Sequence, residues 1–216
     1  MSATNRNGTP RIPLDNYPTP AWLTHAILDV IENFLPAYLP RDHIRVLEPA
    51  AGEGAIVKVL RERGFTDVTA FDIADPHKPV DFLSYPVRNN GEAYGYDLII
   101  TNPPYSLAQE FIERAFLWRR DTRPLHQSFV AMLLRLNFLG SQKRARWLRE
   151  HTPSVYVTPR RPCFSRNKHG RLGSDSTEYC WLLWGPEYPT VHILPTEVAA
   201  HKQLDKQHEI ALQVTH

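Results

Sequence analysis

The chain has 216 residues, of which 42% are apolar, and carries 25 Lys and Arg against 23 Asp and Glu. That length builds one full core and leaves little room for a second domain, and the apolar content excludes a disordered chain. No apolar run reaches the ~18 residues of a membrane span, the polar stretch from Met1 to Asn16 has no signal-peptide core, and Cys163 and Cys180 alone form neither a disulfide framework nor a metal site. A cytoplasmic protein without a metal is the expectation.

Residues 1–16 read as a flexible arm and 17–195 as a single domain. Thr19-Pro20 resembles an N-cap followed by proline at the first helical position. Leu23, Ala26, Ile27, Val30, Ile31 and Phe34 then form an apolar stripe at helical spacing that Pro36 ends. His43–Glu48 predicts a strand, followed by a small-residue turn and a helix through Ile56, Val57 and Leu60. Strands are predicted at Val68–Ile73, at Val80–Leu83 (short) and at Asp97–Thr101. Ser106 with Gln109 resembles a capping box opening a helix to about Trp118. Ser128–Leu134 predicts a strand and Ser141–His151 a basic helix. Strands at Val155–Val157 and Tyr179–Trp184 follow, with a further short one at Val191–Leu194. This alternation predicts a mostly parallel, doubly wound sheet with helices on both faces. The polar loop 160–176 is long enough to be functional, and residues 196–216 form a polar tail.

Charge is distributed unevenly along these elements. From Arg119 to Arg171 there are 13 Lys and Arg against Asp121 and Glu150, a net +11 that leaves −9 for the remainder. One surface facing a polyanion would account for this, as would a solvated helix face around Lys143–Arg149.

The most informative segment is Tyr96-Asp97-Leu98-Ile99-Ile100-Thr101-Asn102-Pro103-Pro104-Tyr105. A buried strand stops at two prolines, which fix φ, lack N–H groups and hold the loop extended. An amide, a carbonyl and an aromatic face therefore meet at the carboxyl end of a strand, where open α/β sheets place ligands. Two acceptors and a flat ring suit a planar molecule carrying an NH2 group. Upstream, Glu48-Pro49-Ala50-Ala51-Gly52-Glu53-Gly54 makes a strand-to-helix turn whose small residues let backbone approach a ligand closely. Glu53 suits a pyrophosphate badly and no GxGxxG is present. Asp72, 20 residues after Gly52, ends the second strand where a carboxylate can accept both hydroxyls of a ribose. A nucleoside cofactor without phosphates fits best. Glu48 suits an ammonium group or a helix start, and Asp81 an adenine amino group or a solvated turn.

Read in order, Tyr17-Pro18-Thr19-Pro20, Glu48–Gly54, Asp72, Asp81 and Asn102-Pro103-Pro104-Tyr105 resemble the DNA adenine-N6 methyltransferases that depend on S-adenosylmethionine, in the compact form of small phage-type members. The resemblance covers about residues 17–185. It implies a Rossmann-like class I methyltransferase fold with a seven-stranded sheet, in a bacterial or phage-infected cell. It further implies that Tyr17, Thr19, Glu48, Pro49, Ala50, Gly52 and Gly54 hold the methionine part of the cofactor. Asp72 with Ile73 would hold its ribose, and Asp81 with Phe82 its adenine, beside Asn102. Asn102, Pro103, Pro104 and Tyr105 would bind the target amine, with Tyr105 stacking on an adenine flipped out of the helix. Phe164 is the candidate second aromatic, the other reading being a core anchor, and Arg160, Arg161, Arg166, Lys168 and Arg171 would contact phosphates. No room is left for a target-recognition domain, so specificity would come from the basic loop, a homodimer or a partner subunit, or be weak.

Protein glutamine-N5 methyltransferases resemble the same loop, because an amide NH2 poses the same problem. They typically carry Asp-x-Gly-x-Gly and an N-terminal helical domain, both missing here. An RNA adenine methyltransferase uses the same loop chemistry. A nucleic-acid-binding module on a degenerate scaffold is disfavoured by the intact Gly52, Gly54, Asp72 and Asn102.

Overall fold

The computed structural model describes residues 18–35, 39–89, 92–93, 95–119, 128–159, 161–162, 164, 177–185 and 188–194. The expectations for Tyr17, Arg160, Arg166, Lys168, Arg171, the N-terminal arm and the C-terminal tail lie outside these residues.

Helix α1 (Ala21–Phe34) leads into strand β1 (Val46–Glu48), helix α2 (Ala55–Glu62) and strand β2 (Val68–Ala70). A two-residue hairpin, β3 (Arg88–Asn89) and β4 (Glu92–Ala93), precedes β5 (Leu98–Thr101) and helix α3 (Ala108–Trp118). Then come β6 (Phe129–Arg135), the short α4 (Ala145–Glu150), β7 (Ser154–Val157), β8 (Tyr179–Trp184) and β9 (Val191–Ile193). Seven strands form one sheet in the order β2-β1-β5-β6-β8-β7-β9. All neighbours are parallel except β8, which runs antiparallel to β6 and β7.

Alternation along each strand builds two cores. Leu98 and Ile100 of β5 face α1 and α2 with Val46, Phe129, Ala131 and Leu133, while Ile99, Val130, Met132 and Leu134 face α3. Central strands buried on both faces read as continuous apolar runs, and β6 is one. Trp181 on β8 donates from Nε1 to the Leu23 carbonyl at 3.0 Å, locking α1 onto the sheet. Arg63 pairs with Asp29 and Glu32, tying α2 to α1.

Three local expectations are corrected. Val80–Leu83 is a turn, not a third strand. Pro79 removes a ladder donor, Asp81 Oδ1 accepts the Leu83 N–H at 3.0 Å, and the Asp81 carbonyl accepts from Tyr85 N at 2.9 Å. The seventh strand is instead β9, at the opposite edge. Thr19 does not cap α1: Pro20 holds the cap position, and the Thr19 hydroxyl accepts from Asn102 Nδ2 at 3.2 Å. Ser106 makes no capping box. Tyr105–Leu107 form a single 3-10 turn before α3, and Gln109 donates forward to Glu113.

Candidate active site

The carboxyl ends of β1, β2 and β5 surround a cleft of about 560 Å³, within the range of small-molecule sites. Its lining includes Pro18, Thr19, Glu48–Glu53, Asp72–Ala74, Val80–Leu83, Asn102, Pro104, Leu107 and Phe111. Nearly every predicted cofactor residue that is described is therefore brought together. Gly54 is the exception, and of the predicted amine-binding residues Pro103 and Tyr105 also lie outside the cleft lining. Gly54, at φ +80°, holds the N-cap position of α2 and shapes the turn from behind, and Pro103 is buried beneath the loop. Nothing in the sequence marks Leu107 or Phe111 as site residues.

Glycine is required where the turn reverses: Gly52 and Gly54 both have positive φ, 51° and 80°. Asp72 fixes the result. Its Oδ2 accepts the Gly52 amide at 2.6 Å and its Oδ1 the Ala74 amide at 2.7 Å, so one carboxylate stitches the turn after β1 to the loop after β2. Each oxygen keeps a second lone pair for a ligand hydroxyl. The backbone repeats the stitch, with Phe71 N donating to the Glu48 carbonyl and Ala51 N to the Phe71 carbonyl, both at 2.8 Å.

Glu48 closes the floor of the cleft at 1% exposure. Neither carboxyl oxygen has a hydrogen-bond partner of good geometry among the described residues. Burial pushes its carboxyl well above the usual carboxylate range, and the Asp72 charge adds to this; the nearby Thr101 hydroxyl and Ala50 amide pull the other way without cancelling it. A buried acid of this kind is stabilised by an incoming cation.

Asp81 is both the turn acid and a cleft residue, since its Oδ1 holds the Leu83 amide at the rim. The adjacent wall is apolar. Ile73 is 56% exposed there, and Phe82 is buried with its ring 5.4 Å from Phe111 and 5.5 Å from Trp118. Arg114 of α3 donates to the Phe82 and Tyr85 carbonyls and pins this turn in place.

The Asn-Pro-Pro-Tyr loop borders a second cavity as well. Asn102, Pro104 and Leu107 line the cleft, whereas Tyr105 and Ala108 line a smaller pocket of about 260 Å³ beside the end of β6, and Ser106 borders both. The Arg135 guanidinium lies over Tyr105, 4.7 Å from its ring centroid, and the Tyr179 ring lies 5.9 Å away, tilted by 50°. Phe164 packs edge-on against Tyr179 at 5.0 Å, placing three rings in one row and Phe164 against the core. Arg161 is ion-paired with Glu178 at 2.6 Å, so its charge is already partly answered. Among the described residues no His, Cys, Asp and Glu group could hold a metal ion, and no helix is long and apolar enough to cross a membrane.

This sheet order and cleft define the Rossmann-like fold of class I methyltransferases. No family model and no curated protein matches the chain. Solved structures do. A protein from Listeria monocytogenes assigned as a class I S-adenosylmethionine-dependent methyltransferase matches with TM-score 0.58 and 14% identity, over 85% of this chain and 67% of its own. A modification subunit assigned to a type I restriction enzyme of Vibrio vulnificus gives TM-score 0.57 and 14% identity over 82% of this chain and 46% of its own. A Pyrococcus horikoshii protein assigned as an RNA methyltransferase gives TM-score 0.53 and 13% identity over 86% of this chain and 93% of its own. The chain thus spans about half of the modification subunit, and at these identities the likeness is one of fold.

Proposed function

We propose that this protein transfers a methyl group from S-adenosylmethionine to the exocyclic N6 amine of adenine in DNA, within a single catalytic domain over residues 17–195. The observation that carries the cofactor is the charge of the cleft. Glu48, Glu53, Asp72 and Asp81 line it, and no Lys, Arg or His is among the described lining residues. Such a wall repels phosphates and attracts a ligand carrying a sulfonium and an ammonium group. Buried Glu48 matches the ammonium, Asp72 the ribose hydroxyls, and Ile73, Phe82 and Leu107 a flat purine.

When bound, S-adenosylmethionine supplies a methyl group made electrophilic by the sulfonium. Asn102 stands at the rim of this cleft, with its amide nitrogen turned to Thr19. That bond favours presenting Oδ1 as an acceptor. Adenine N6 is a poor nucleophile because its lone pair is delocalised into the ring. Asn102 Oδ1 and the Pro103 carbonyl, each accepting one N6–H, draw the nitrogen toward a tetrahedral shape and stabilise its developing positive charge. Pro103 and Pro104 keep those acceptors in place, and Tyr105 stacks on the extruded base, a contact worth about 1–3 kcal/mol. No strong base is required, because the methylated, positively charged amine releases its proton to water.

Nucleic acid as the acceptor is supported by the +11 segment from Arg119 to Arg171. The loop 160–176, with Phe164 as second aromatic and Arg160, Arg161, Arg166, Lys168 and Arg171 toward phosphates, belongs to this reading. Target recognition would then rest with that loop, a second copy or a partner subunit, as a subunit of a restriction–modification assembly would use. The test is methyl transfer from labelled S-adenosylmethionine to DNA, RNA and a mixed protein extract offered side by side. Label in DNA is expected; label in RNA or protein alone would replace the substrate, and none in any would remove the activity.

A further inference from the structure

The smaller pocket behind Tyr105 has no role in the account above. Its polar walls come from consecutive elements after β5 and β6: Tyr105 and Ser106, then Arg135 and Asn137, then Arg144. Both guanidinium groups lie over aromatic rings. Arg135 lies 4.7 Å from the Tyr105 centroid, and Arg144 lies 4.3 Å from the Phe138 centroid. Arg144 also donates from Nε and Nη2 to the Phe138 carbonyl at 3.2 and 3.1 Å, which uses two of its five N–H bonds. The remaining Arg144 donors can serve an anion, and a side chain already held in this way loses little entropy on binding one. No carboxylate is among the described lining residues, in contrast to the cleft on the other side of the loop. At about 260 Å³ the pocket is smaller than a cofactor site and suits a group rather than a whole cofactor.

Building on the proposed function, we infer that this pocket is a phosphate site, formed by Arg135, Asn137, Arg144 and Ser106, that holds a backbone phosphodiester of the substrate strand next to the methyl-accepting base. A phosphate fixed here sets the register of the strand against Asn102 without reading any base, as backbone contacts do. It also explains why a planar base is not the occupant: Arg135 already covers the Tyr105 ring on this side.

The experiment is salt-dependent binding of a labelled single-stranded oligodeoxyadenylate of about 12 nucleotides, followed by anisotropy with S-adenosylhomocysteine present. Each phosphate neutralised on a single strand contributes about 0.7 to the slope of log affinity against log salt. Arg144→Ala is expected to lower that slope by about this amount, and Arg144→Lys, which keeps the charge, to restore it. Cofactor affinity and thermal midpoint serve as controls for folding. If Arg144→Ala loosens the Phe138 turn enough to lower the midpoint, Arg135→Gln, whose planar amide can still lie on Tyr105, carries the same slope test. Unchanged slopes in both variants of a protein that binds the oligonucleotide overturn the phosphate site alone. A wild-type protein that binds no oligonucleotide overturns the proposed function and this inference with it.

Discussion

The cleft and the pocket on either side of residues 102–108 differ in size, charge and origin. The cleft is more than twice as large, lined by four carboxylates, and assembled from the turns after β1, β2 and β5. The pocket is small and basic, and draws its cations from the segment after β6. One short proline-stiffened loop serves as the wall between them; under the proposed function it would hold a cationic donor and a polyanionic acceptor apart and let them meet at one amide. Charge separation along the chain therefore becomes charge separation across a single loop.

Substitutions that act on the wall should have the largest effects. Under the proposed function Asn102→Ala removes an acceptor that matters most in the transition state, and methyl transfer is expected to fall about 100-fold or more while S-adenosylmethionine still binds by calorimetry. Retained transfer would break the division of labour between wall and cleft. Asp72→Ala acts on the cleft alone. It loses the stitch to Gly52 and Ala74 and a charged acceptor for ribose, so cofactor affinity should weaken at least tenfold, about 1.5 kcal/mol, with oligonucleotide binding little changed.

Glu48 sharpens the comparison through pH. Its carboxyl in the folded protein titrates above the ordinary value of 4.5, so the cofactor-free fold is favoured by the neutral form. That stability is present below about pH 4.5 and is lost as pH rises through the folded value. The thermal midpoint of the wild type should therefore decline over this window relative to Glu48→Gln, whose side chain stays neutral. Cofactor binding should run the other way, tightening with pH in the wild type as the acid ionises against an ammonium group, and staying flat in Glu48→Gln. Parallel pH profiles for the two proteins would contradict the assignment. The smallest effect is expected for Thr19→Val, which removes the partner of the Asn102 amide nitrogen. A loss of about 1 kcal/mol, roughly fivefold in turnover with KM nearly unchanged, is predicted from steady-state kinetics.

Much of this was legible in the sequence because the informative residues sit at strand ends. A buried strand ending in Asn-Pro-Pro-Tyr, and a strand–glycine turn–helix followed by Asp72, fix both backbone shape and side-chain chemistry locally. The run Tyr179–Trp184 was bounded to the residue, since its alternation serves two buried faces. Val80–Leu83 resembles a strand because its three apolar residues carry the same signal in a strand and in a turn pinned by Asp81 and Arg114, and only the contact with α3 decides. Thr19 read as a cap because its bond to Asn102 spans 83 positions, invisible to any local rule. Arg135 and Asn137, at the end of an apolar strand, carry the same signal that marks Asn102, whereas Arg144, nine residues beyond the strand, is hidden in a generally basic stretch.

The central claim concerns the atom that is methylated. DNA incubated with the protein and S-adenosylmethionine, digested to nucleosides and analysed by mass spectrometry against standards, tests it most directly. The account predicts N6-methyldeoxyadenosine as the product, strongly reduced with Asn102→Ala. Methylation of cytosine, of a ring nitrogen or of protein glutamine in its place would contradict it.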